Sequence, residues 1–383
     1  MVRLLAILFP LLLVLSGCWD LKSIANTDYF TALGFDYKDD QYVIYAQMLD
    51  FSKVAKQEGG KPSRAGGVWT GRAEGRTMSD AIDSLFKTAQ QRVFYGHISA
   101  IVFTENALKH GIHSYLDGLI RFRETRYTQW VYGTKEPIDQ VFSVTPFFNL
   151  SPLASILHTP IETYIQQSDI RPLRLFKVVT ELREPGQTLL LPSLEIVEDQ
   201  WKKDERADPK LATGGVFAIK DGSLQGWLDY KKLVGVRWVE QSSVHASVTI
   251  EQNGKPAANI SIRNMKAKIV PHANGNKAGF SIRFTCKAAI NALLQPIDEE
   301  SIRQETAREI RTQLEQTFQA GKKQSIDVYT LEHVLYHDAF PAWSRLTSNG
   351  SMPLRDYSLD SVEIEVKLVH SGMFKNKEEG RQY

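Results

Sequence analysis

Residues 280–288 read Phe-Ser-Ile-Arg-Phe-Thr-Cys-Lys-Ala, a stretch in which apolar and polar side chains alternate throughout. This period of two is typical of a β-strand that has one face in the core and the other in water. The same alternation recurs at 244–250, around Ile260 and Ile262, and at 362–368. These segments predict an antiparallel sheet with one wet face, and the apolar face of that sheet needs a cover.

Two helical patterns lie between the strand at 280–288 and the strand at 362–368, and these helices can cover the apolar face. The longer one runs from Asp298 to Ala320 and is predicted to stop at Gly321, because glycine commonly ends a helix. Its core-facing positions recur every four residues, at Ile302, Thr306, Ile310, Leu314 and Phe318. Residues 326–346 are rich in aromatic side chains and predict a second, partly interrupted helix.

The N-terminal part of the chain predicts a different arrangement, in which helices alternate with strands. The elements are, in order, strands at 30–35 and 42–48, a helix after the capping-box pair Thr77 and Asp80, a strand at 97–103, a helical region within 104–120 and a strand at 127–132. A β–α–β–α–β order after an opening hairpin implies helices packed on one mixed sheet.

The middle of the chain begins where Pro146, Pro152 and Pro160 mark a change of character. The patterns there predict helices at 153–165 and 172–182, a strand at 189–197, and a hairpin of 214–220 with 224–228 that turns at Asp221-Gly222. The predicted fold class is α+β, with three mixed α/β domains at 18–145, 146–236 and 237–372. The last is an antiparallel sheet covered by long helices, and a polar tail at 373–383 follows it.

The N-terminus predicts a lipid anchor. Arg3 precedes an apolar run from Leu4 to Leu15, which is short for a bilayer-spanning helix and typical of a signal peptide. The run ends in Leu15-Ser16-Gly17-Cys18, the pattern of a bacterial lipoprotein signal. We therefore expect cleavage after residue 17 and acylation of Cys18, since two acyl chains give stable anchoring. The alternatives are an ordinary signal peptide whose apolar run happens to end in cysteine, and an uncleaved helix.

Composition excludes several classes of protein. The 383 residues carry 46 Lys and Arg against 44 Asp and Glu, so the concentrated basic character of a nucleic-acid binder is missing. The two cysteines are Cys18 and Cys286. If Cys18 is acylated, no intramolecular disulfide can form. Cys286 lies on the apolar side of its strand and is predicted to be an inert core thiol.

No motif in the sequence indicates catalysis or a cofactor. His110 with His113, and His333 with His337, could each place two imidazoles on one helix face, but two ligands do not make a metal site. Nucleophile elbows, phosphate-binding loops and dinucleotide fingerprints do not occur. We expect a protein that is not an enzyme and has no metal or cofactor. The stretch 52–76 combines glycines with lysines and arginines, which predicts a solvated loop or a contact with anionic lipid headgroups.

Several separated motifs resemble the Ger(x)C family, the lipoprotein C subunits of spore nutrient-germinant receptors. They are Gly17-Cys18-Trp19-Asp20, Ala32-Leu33-Gly34-Phe35-Asp36, Gly75-Arg76-Thr77, Tyr95-Gly96-His97, the stretch 111–117, Gly214-Gly215-Val216-Phe217, Gly226-Trp227-Leu228 and Gly235-Val236-Arg237-Trp238. The resemblance covers most of the chain that follows the signal, and the glycine-rich basic stretch is its main departure.

The resemblance implies a three-domain α+β lipoprotein on the outer leaflet of the spore inner membrane. It also implies that the protein is required together with A- and B-type polytopic membrane subunits, and that it has no known catalytic residues. Partner contacts are expected at Tyr95, Gly96 and His97, in the stretch 52–76, and at Trp227 and Trp238, with core packing as the alternative for both tryptophans.

Two other functions compete with this hypothesis. A solute-binding lipoprotein of an importer would have two doubly wound lobes, whereas this chain ends in one-sided strands. A cell-wall hydrolase would need an acidic or metal-binding constellation that the sequence does not show. Nutrient binding is expected to belong to the membrane partners, so no small-molecule ligand is predicted for this chain.

Overall fold

The computed structural model describes residues 27–49, 67–121, 125–274, 276–347 and 354–369. Its strands are β1 Thr27–Lys38, β2 Gln41–Leu49, β3 Val68–Gly75, β4 Arg92–Phe94, β5 Ala100–Thr104, β6 Trp130–Thr134, β7 Leu173–Arg174, β8 Thr188–Val197, β9 Lys202–Lys203, β10 Arg206–Ala207, β11 Lys210–Lys220, β12 Ser223–Asp229, β13 His245–Gln252, β14 Lys255–Asn274, β15 Lys277–Leu293 and β16 Tyr357–Leu368. The helices are α1 Met78–Phe86, α2 Glu105–His110, α3 Ile112–Arg121, α4 Ile138–Ser143, α5 Ile161–Gln166, α6 Leu175–Glu181, α7 Val236–Val239, α8 Glu299–Lys323, α9 Leu331–Asp338 and α10 Phe340–Leu346.

Ten strands form one large mixed sheet, which includes the mixed sheet predicted for the N-terminal part and also strands of the predicted middle domain. Its main path runs β12-β11-β8-β6-β5-β1-β2-β3, with β4 paired to β1 and β7 to β6. The central strands β1, β5, β6 and β8 are parallel to one another, whereas β2, β3, β11 and β12 pair antiparallel. The parallel centre follows from the helical connections, since parallel neighbours need a crossover.

The large sheet is buried on both faces. One face packs against α1, α2, α3 and α6, in a core that includes Ile82, Leu108, Leu116 and Val178. The other face packs against α4 and the stretch around Leu157. Residues 100–103 on β5 are completely buried, so this strand is a continuous apolar run and not an alternating one.

Local signals in the sequence set the ends of the first helices. Thr77 and Asp80 form the predicted capping box: Asp80 N donates to Thr77 Oγ1 at 3.1 Å, and Thr77 N donates to Asp80 Oδ2 at 3.0 Å. Thr104 caps α2, and Gly111 ends it with a φ of +115° that strongly favours glycine. The predicted hairpin turn at Asp221-Gly222 is also present, and both residues have positive φ.

The four-stranded sheet has the order β13-β14-β15-β16 and is antiparallel-rich, as predicted. Its apolar face packs against α8, where the predicted repeat at Ile302, Thr306, Ile310, Leu314 and Phe318 is buried. The expected stop at Gly321 is wrong, because α8 continues to Lys323. A Cβ at Gly321 would lie 2.5 Å from the carbonyl oxygen of Ile326, so glycine is needed there for close approach of the returning chain.

The closing strand corrects a second expectation. β16 pairs with β15 in parallel, whereas the sequence predicts an antiparallel partner. The reason is the helical connection between them: α8, α9 and α10 carry the chain back across the sheet, and a crossover of this length returns the next strand in the same direction.

Three other predicted segments differ in detail. Of the helix expected at 153–165, only α5 is helical beyond a short 3₁₀ turn at Pro152–Ala154, because Pro160 restricts the residue before it. The helix expected at 172–182 begins after the two-residue strand β7. The helix expected at 326–346 is the pair α9 and α10, interrupted at Ala339 as predicted.

Part of the glycine-rich basic stretch is a strand and not a loop, since β3 pairs with β2 along its whole length. Residues 52–66 of that stretch, the signal at 1–17, Cys18 and the tail at 373–383 lie outside the described residues. Strands from both sides of residue 146 pair in the large sheet, so that sheet does not separate the first two predicted domains. The division into three domains stays a prediction. No helix within the described ranges is both long and apolar enough to cross a membrane.

Candidate functional site

The predicted contact residues Tyr95, Gly96 and His97 lie on the turn between β4 and β5. The ring of Tyr95 packs 5.6 Å from that of Phe30, and the ring of His97 lies 4.8 Å from that of Tyr29. A Cβ at position 96 would lie 2.5 Å from the ring of Phe94, so glycine lets that ring pack against the turn. Tyr95 is therefore partly buried against the core, whereas His97 is exposed on the turn, beside the start of β1.

Trp227 lies in a different part of the large sheet. It is on the edge strand β12, five strands away from β1, and is half-buried. The Lys135 ammonium lies 3.5 Å from the centre of its ring, a cation–π contact. The structure therefore does not bring Trp227 together with the turn at Tyr95.

Trp238 is a core residue, which is the alternative that the sequence left open for it. Only 1% of it is exposed. Its ring packs edge-on at 5.7 Å from Phe284, and its Nε1 donates to Gln313 Oε1 at 3.0 Å. A side chain enclosed by α8 and the four-stranded sheet cannot contact a second protein.

A cleft of about 750 Å³ lies between the large sheet and the C-terminal region. Its floor includes Leu190, Val216 and Ile269, and charged side chains lie along its rim. Arg171 pairs there with Glu181 at 2.5 Å and with Glu240 at 3.5 Å. Burial lowers the pKa of the Arg171 guanidinium, but the two carboxylates outweigh this effect and raise it, so the cation is permanent.

A second ion pair lies beside this cleft. Arg237 on α7 donates to Asp169 Oδ1 at 3.0 Å and to Gln313 Oε1 at 3.1 Å. Burial lowers the pKa of Arg237, and the facing Asp169 carboxylate opposes that shift. The pair joins the chain before β7 to the long helix α8.

A third charged cluster joins the large sheet to α9. Lys220, at the end of β11, forms an ion pair with Glu332, which is 2% exposed. Trp343 Nε1 and Tyr357 Oη each donate to the Glu332 carboxylate at 3.4 Å. The backbone N of Glu332 donates to Asp327 Oδ2 at 2.9 Å, and burial raises the pKa of that aspartic acid. These enclosed carboxylates hold the structure together and are not open to a substrate.

The histidine pairs do not converge on a metal. His110 stacks on Tyr37 at 3.6 Å and lies 3.1 Å from the hydroxyl of Tyr42, while His113 lies against Gly222. His333 Nδ1 lies 3.1 Å from the carbonyl oxygen of Pro185. Among the residues that the structure describes, no three His, Cys, Asp or Glu side chains form a possible metal site. Cys286 is in the core, as predicted, and burial raises the pKa of its thiol to about 12.

Sequence reasoning missed His158, which lies beneath the large sheet and is 5% exposed. Its Nδ1 accepts from Ser99 Oγ at 2.6 Å, and its Nε2 donates to Gln47 Oε1 at 3.0 Å. Burial lowers the pKa of His158 to about 3, so the ring is neutral. Its partners are 59 and 111 residues away, so no local spacing could have indicated them.

Comparison with known proteins identifies the family. Residues 20–196 match the spore germination protein N-terminal domain, and residues 214–372 match the spore germination B3/GerAC-like C-terminal domain. The chain is 23% identical to spore germination protein KC of Bacillus subtilis (strain 168), over 95% of this chain and 93% of that protein. It is 22% identical to spore germination protein B3 of the same organism, over 84% of this chain and 83% of that protein.

The fold is also similar to a solved structure. The crystal structure of the GerBC protein superposes with a TM-score of 0.56 at 16% sequence identity, over 88% of this chain and 96% of that one. The likeness supports the mixed α/β architecture described above. With the two domain matches side by side along the sequence, the chain belongs to the Ger(x)C, or GerAC-like, family of spore germination proteins.

Proposed function

We propose that this chain is the lipid-anchored subunit of a spore nutrient-germinant receptor. One observation carries the proposal: family matches that reach from residue 20 to residue 372 follow directly on the predicted lipoprotein signal at 1–17 and its cysteine, Cys18. The domains thus begin two residues after the cysteine that would carry the lipid.

The proposed anchor determines where the folded domains are located. Acylated Cys18 would hold the chain on the outer face of the spore inner membrane, facing away from the cytoplasm. Confinement to that surface raises the effective concentration of neighbouring subunits, so that modest interfaces are enough for assembly. The partners that we propose are A- and B-type polytopic receptor subunits, with which the chain acts in nutrient-triggered germination.

The role of the chain within the receptor is proposed to be assembly or signal transmission and not catalysis. The ion pairs of Arg171 with Glu240, Arg237 with Asp169 and Lys220 with Glu332 support this view, since they connect the region of the large sheet to the C-terminal region. Because these pairs hold the two regions together, binding of a partner at one surface can affect another surface. The family and its relatives do not favour the alternative of a solute-binding lipoprotein of an importer.

The proposal is tested by deleting the gene from the spore former that carries it. Spores without the protein should lose the response to a particular nutrient, while dodecylamine, which bypasses nutrient receptors, still triggers germination. Wild-type protein should restore the response, whereas the Cys18→Ala variant should not, and it should be lost from spore membranes. A normal response to every nutrient, in a strain without redundant receptors, would contradict the proposal.

A further inference from the structure

One end of the large sheet differs from the rest of the surface. The parallel strands β1, β5 and β6 all begin there, in a register that aligns Ala32 with Ala100 and Ala100 with Trp130. Tyr29 lies just before this point on β1, and the turns that lead into β5 and β6 carry His97 and Tyr127. The ring contact between Tyr29 and His97 at 4.8 Å agrees with this alignment.

Four aromatic side chains at this end are exposed, and we name them the aromatic rim: Trp69 (68%), Phe86 (36%), Tyr127 (43%) and Phe176 (45%). Trp69 is on β3 opposite Met48, which is itself opposite Phe30 on β1. Phe86 lies 6.2 Å from Tyr95 between ring centres. Phe176 is held beside Tyr127, because its backbone N donates to the Tyr127 carbonyl at 3.0 Å.

Cations accompany three members of the aromatic rim. Lys87 follows Phe86, Arg126 precedes Tyr127 and Lys177 follows Phe176, and all three are exposed. At the opposite end exposed charges of both signs occur together: Lys38, Asp39 and Asp40 lie at the turn between β1 and β2, and Lys135 and Asp139 follow β6. Aromatic side chains flanked by Lys and Arg are typical of surfaces that lie in a membrane interface.

The position of the anchor indicates which end faces the lipid. Eight residues separate Cys18 from Thr27, where β1 begins at the rim end. Even fully extended, the nine residue steps from Cys18 to Thr27 span about 30 Å. The 12 residues of β1 extend the other way by about 40 Å, so the acidic turn is the far end of this strand.

We propose that the aromatic rim rests on the bilayer surface, with its aromatic side chains at headgroup level and the turn between β1 and β2 pointing away. This orientation depends on the proposed acylation of Cys18, which brings the rim end to the membrane. The lipid chains hold the protein on the membrane, and the aromatic rim fixes its orientation there. The chain therefore presents a fixed set of surfaces to neighbouring membrane proteins.

The test measures the depth of single positions in the membrane. The acylated full-length protein is extracted from membranes and reconstituted into vesicles of equimolar phosphatidylglycerol and phosphatidylethanolamine that contain a nitroxide-labelled lipid. Trp69→Cys, Tyr127→Cys, Lys38→Cys and Phe148→Cys variants each carry a polarity-sensitive fluorophore. The protein without an added cysteine is the labelling control, since Cys286 is buried and Cys18 is blocked by its lipid.

Lys38 is the matched control, because it lies at the far end of β1. Phe148 is 90% exposed and tests whether any exposed aromatic side chain enters the lipid. We expect the fluorophores at 69 and 127 to be quenched several-fold more strongly than those at 38 and 148. Equal quenching at all four positions, or stronger quenching at 148, would overturn the orientation while the anchor stands. Release of the protein from the vesicles by a salt wash would overturn the anchor and the orientation together.

Discussion

The two sheets bury their side chains in different ways, and the difference explains how well each could be predicted. The large sheet has helices on both faces, so β5 is completely buried over residues 100–103. The four-stranded sheet has helices on one face only, so along β15 buried Phe284 is followed by exposed Thr285. Alternation in a sequence therefore reports a one-sided sheet, whereas a two-sided sheet gives a short apolar run without a period.

Truncating neighbouring residues in each sheet tests this difference in burial and has the largest expected effect. In the four-stranded sheet, Phe284→Ala should lower the free energy of unfolding by about 3–5 kcal/mol, and Thr285→Ala should change it by less than about 0.5 kcal/mol. In the large sheet, Phe103→Ala should cost about 3–5 kcal/mol and its neighbour Val102→Ala about 2 kcal/mol, because both are buried, on opposite faces. Urea unfolding of the purified variants measures all four. A cost at Thr285 equal to that at Val102 would show that the second sheet is covered on both faces.

The next largest effect on stability is expected at the ion pair of Lys220 with Glu332, which connects the large sheet to α9. Lys220→Met leaves the buried Glu332 carboxylate without its cation, and should lower the free energy of unfolding by about 3 kcal/mol. Adding Glu332→Leu should restore part of that loss, since removing both charges costs less than stranding one. The coupling is measured by a double-mutant cycle in urea. Additive losses in the two single variants would mean that this ion pair does not join the sheets.

The free energy of unfolding should depend on pH through His158, whose ring is buried against one face of the large sheet. The folded chain keeps this ring neutral down to about pH 3, whereas the unfolded chain binds a proton below its ordinary value of 6.5. The free energy of unfolding should therefore fall as the pH is lowered from 6.5, by about 2 kcal/mol at pH 5 from this group alone. In His158→Gln that contribution should vanish, so the pH dependence between 6.5 and 5 should be flatter than in the wild type. Parallel pH profiles for the two proteins would contradict the neutral, buried histidine.

The smallest effect is expected at α1, a helix that covers the large sheet. Thr77→Ala removes the capping box of α1 and should cost about 1 kcal/mol, since an orphaned backbone N–H loses its acceptor. Thr77→Ser keeps the hydroxyl and is the matched control, with a change close to zero. Thermal unfolding of the two variants separates the cap from other effects of the substitution. An equal loss in both would indicate that the threonine methyl group, and not the cap, stabilises the helix.

How much could be predicted from sequence follows from the range of each interaction. The strand 280–288, the buried repeat of α8, the capping box at Thr77 and the hairpin at Asp221-Gly222 depend on residues a few positions apart, and all are present. The pairing of β16 with β15, the burial of Trp238 and the cluster around Glu332 depend on residues far apart in sequence: Lys220 and Glu332 are separated by 112 positions. Such contacts leave no local pattern, so only the three-dimensional structure shows them.

Among the candidate contact residues, the family resemblance points to Tyr95, Gly96 and His97 but does not show which of them faces the core. Tyr95 packs on the core and His97 is exposed, although two positions separate them. The aromatic rim escaped notice in the sequence for a related reason: Trp69 is on a strand, Phe86 and Phe176 are on helices and Tyr127 is in a turn, so only the packing of these elements brings them to one end.

The most direct test of the account is mass spectrometry of the N-terminal tryptic peptide from purified spore membranes. We predict a peptide that begins at Cys18, ends at Lys22 and carries a diacylglyceryl group on the cysteine. Finding residues 1–17 still attached to an unmodified Cys18, on a protein that washes freely off the membrane, would contradict it.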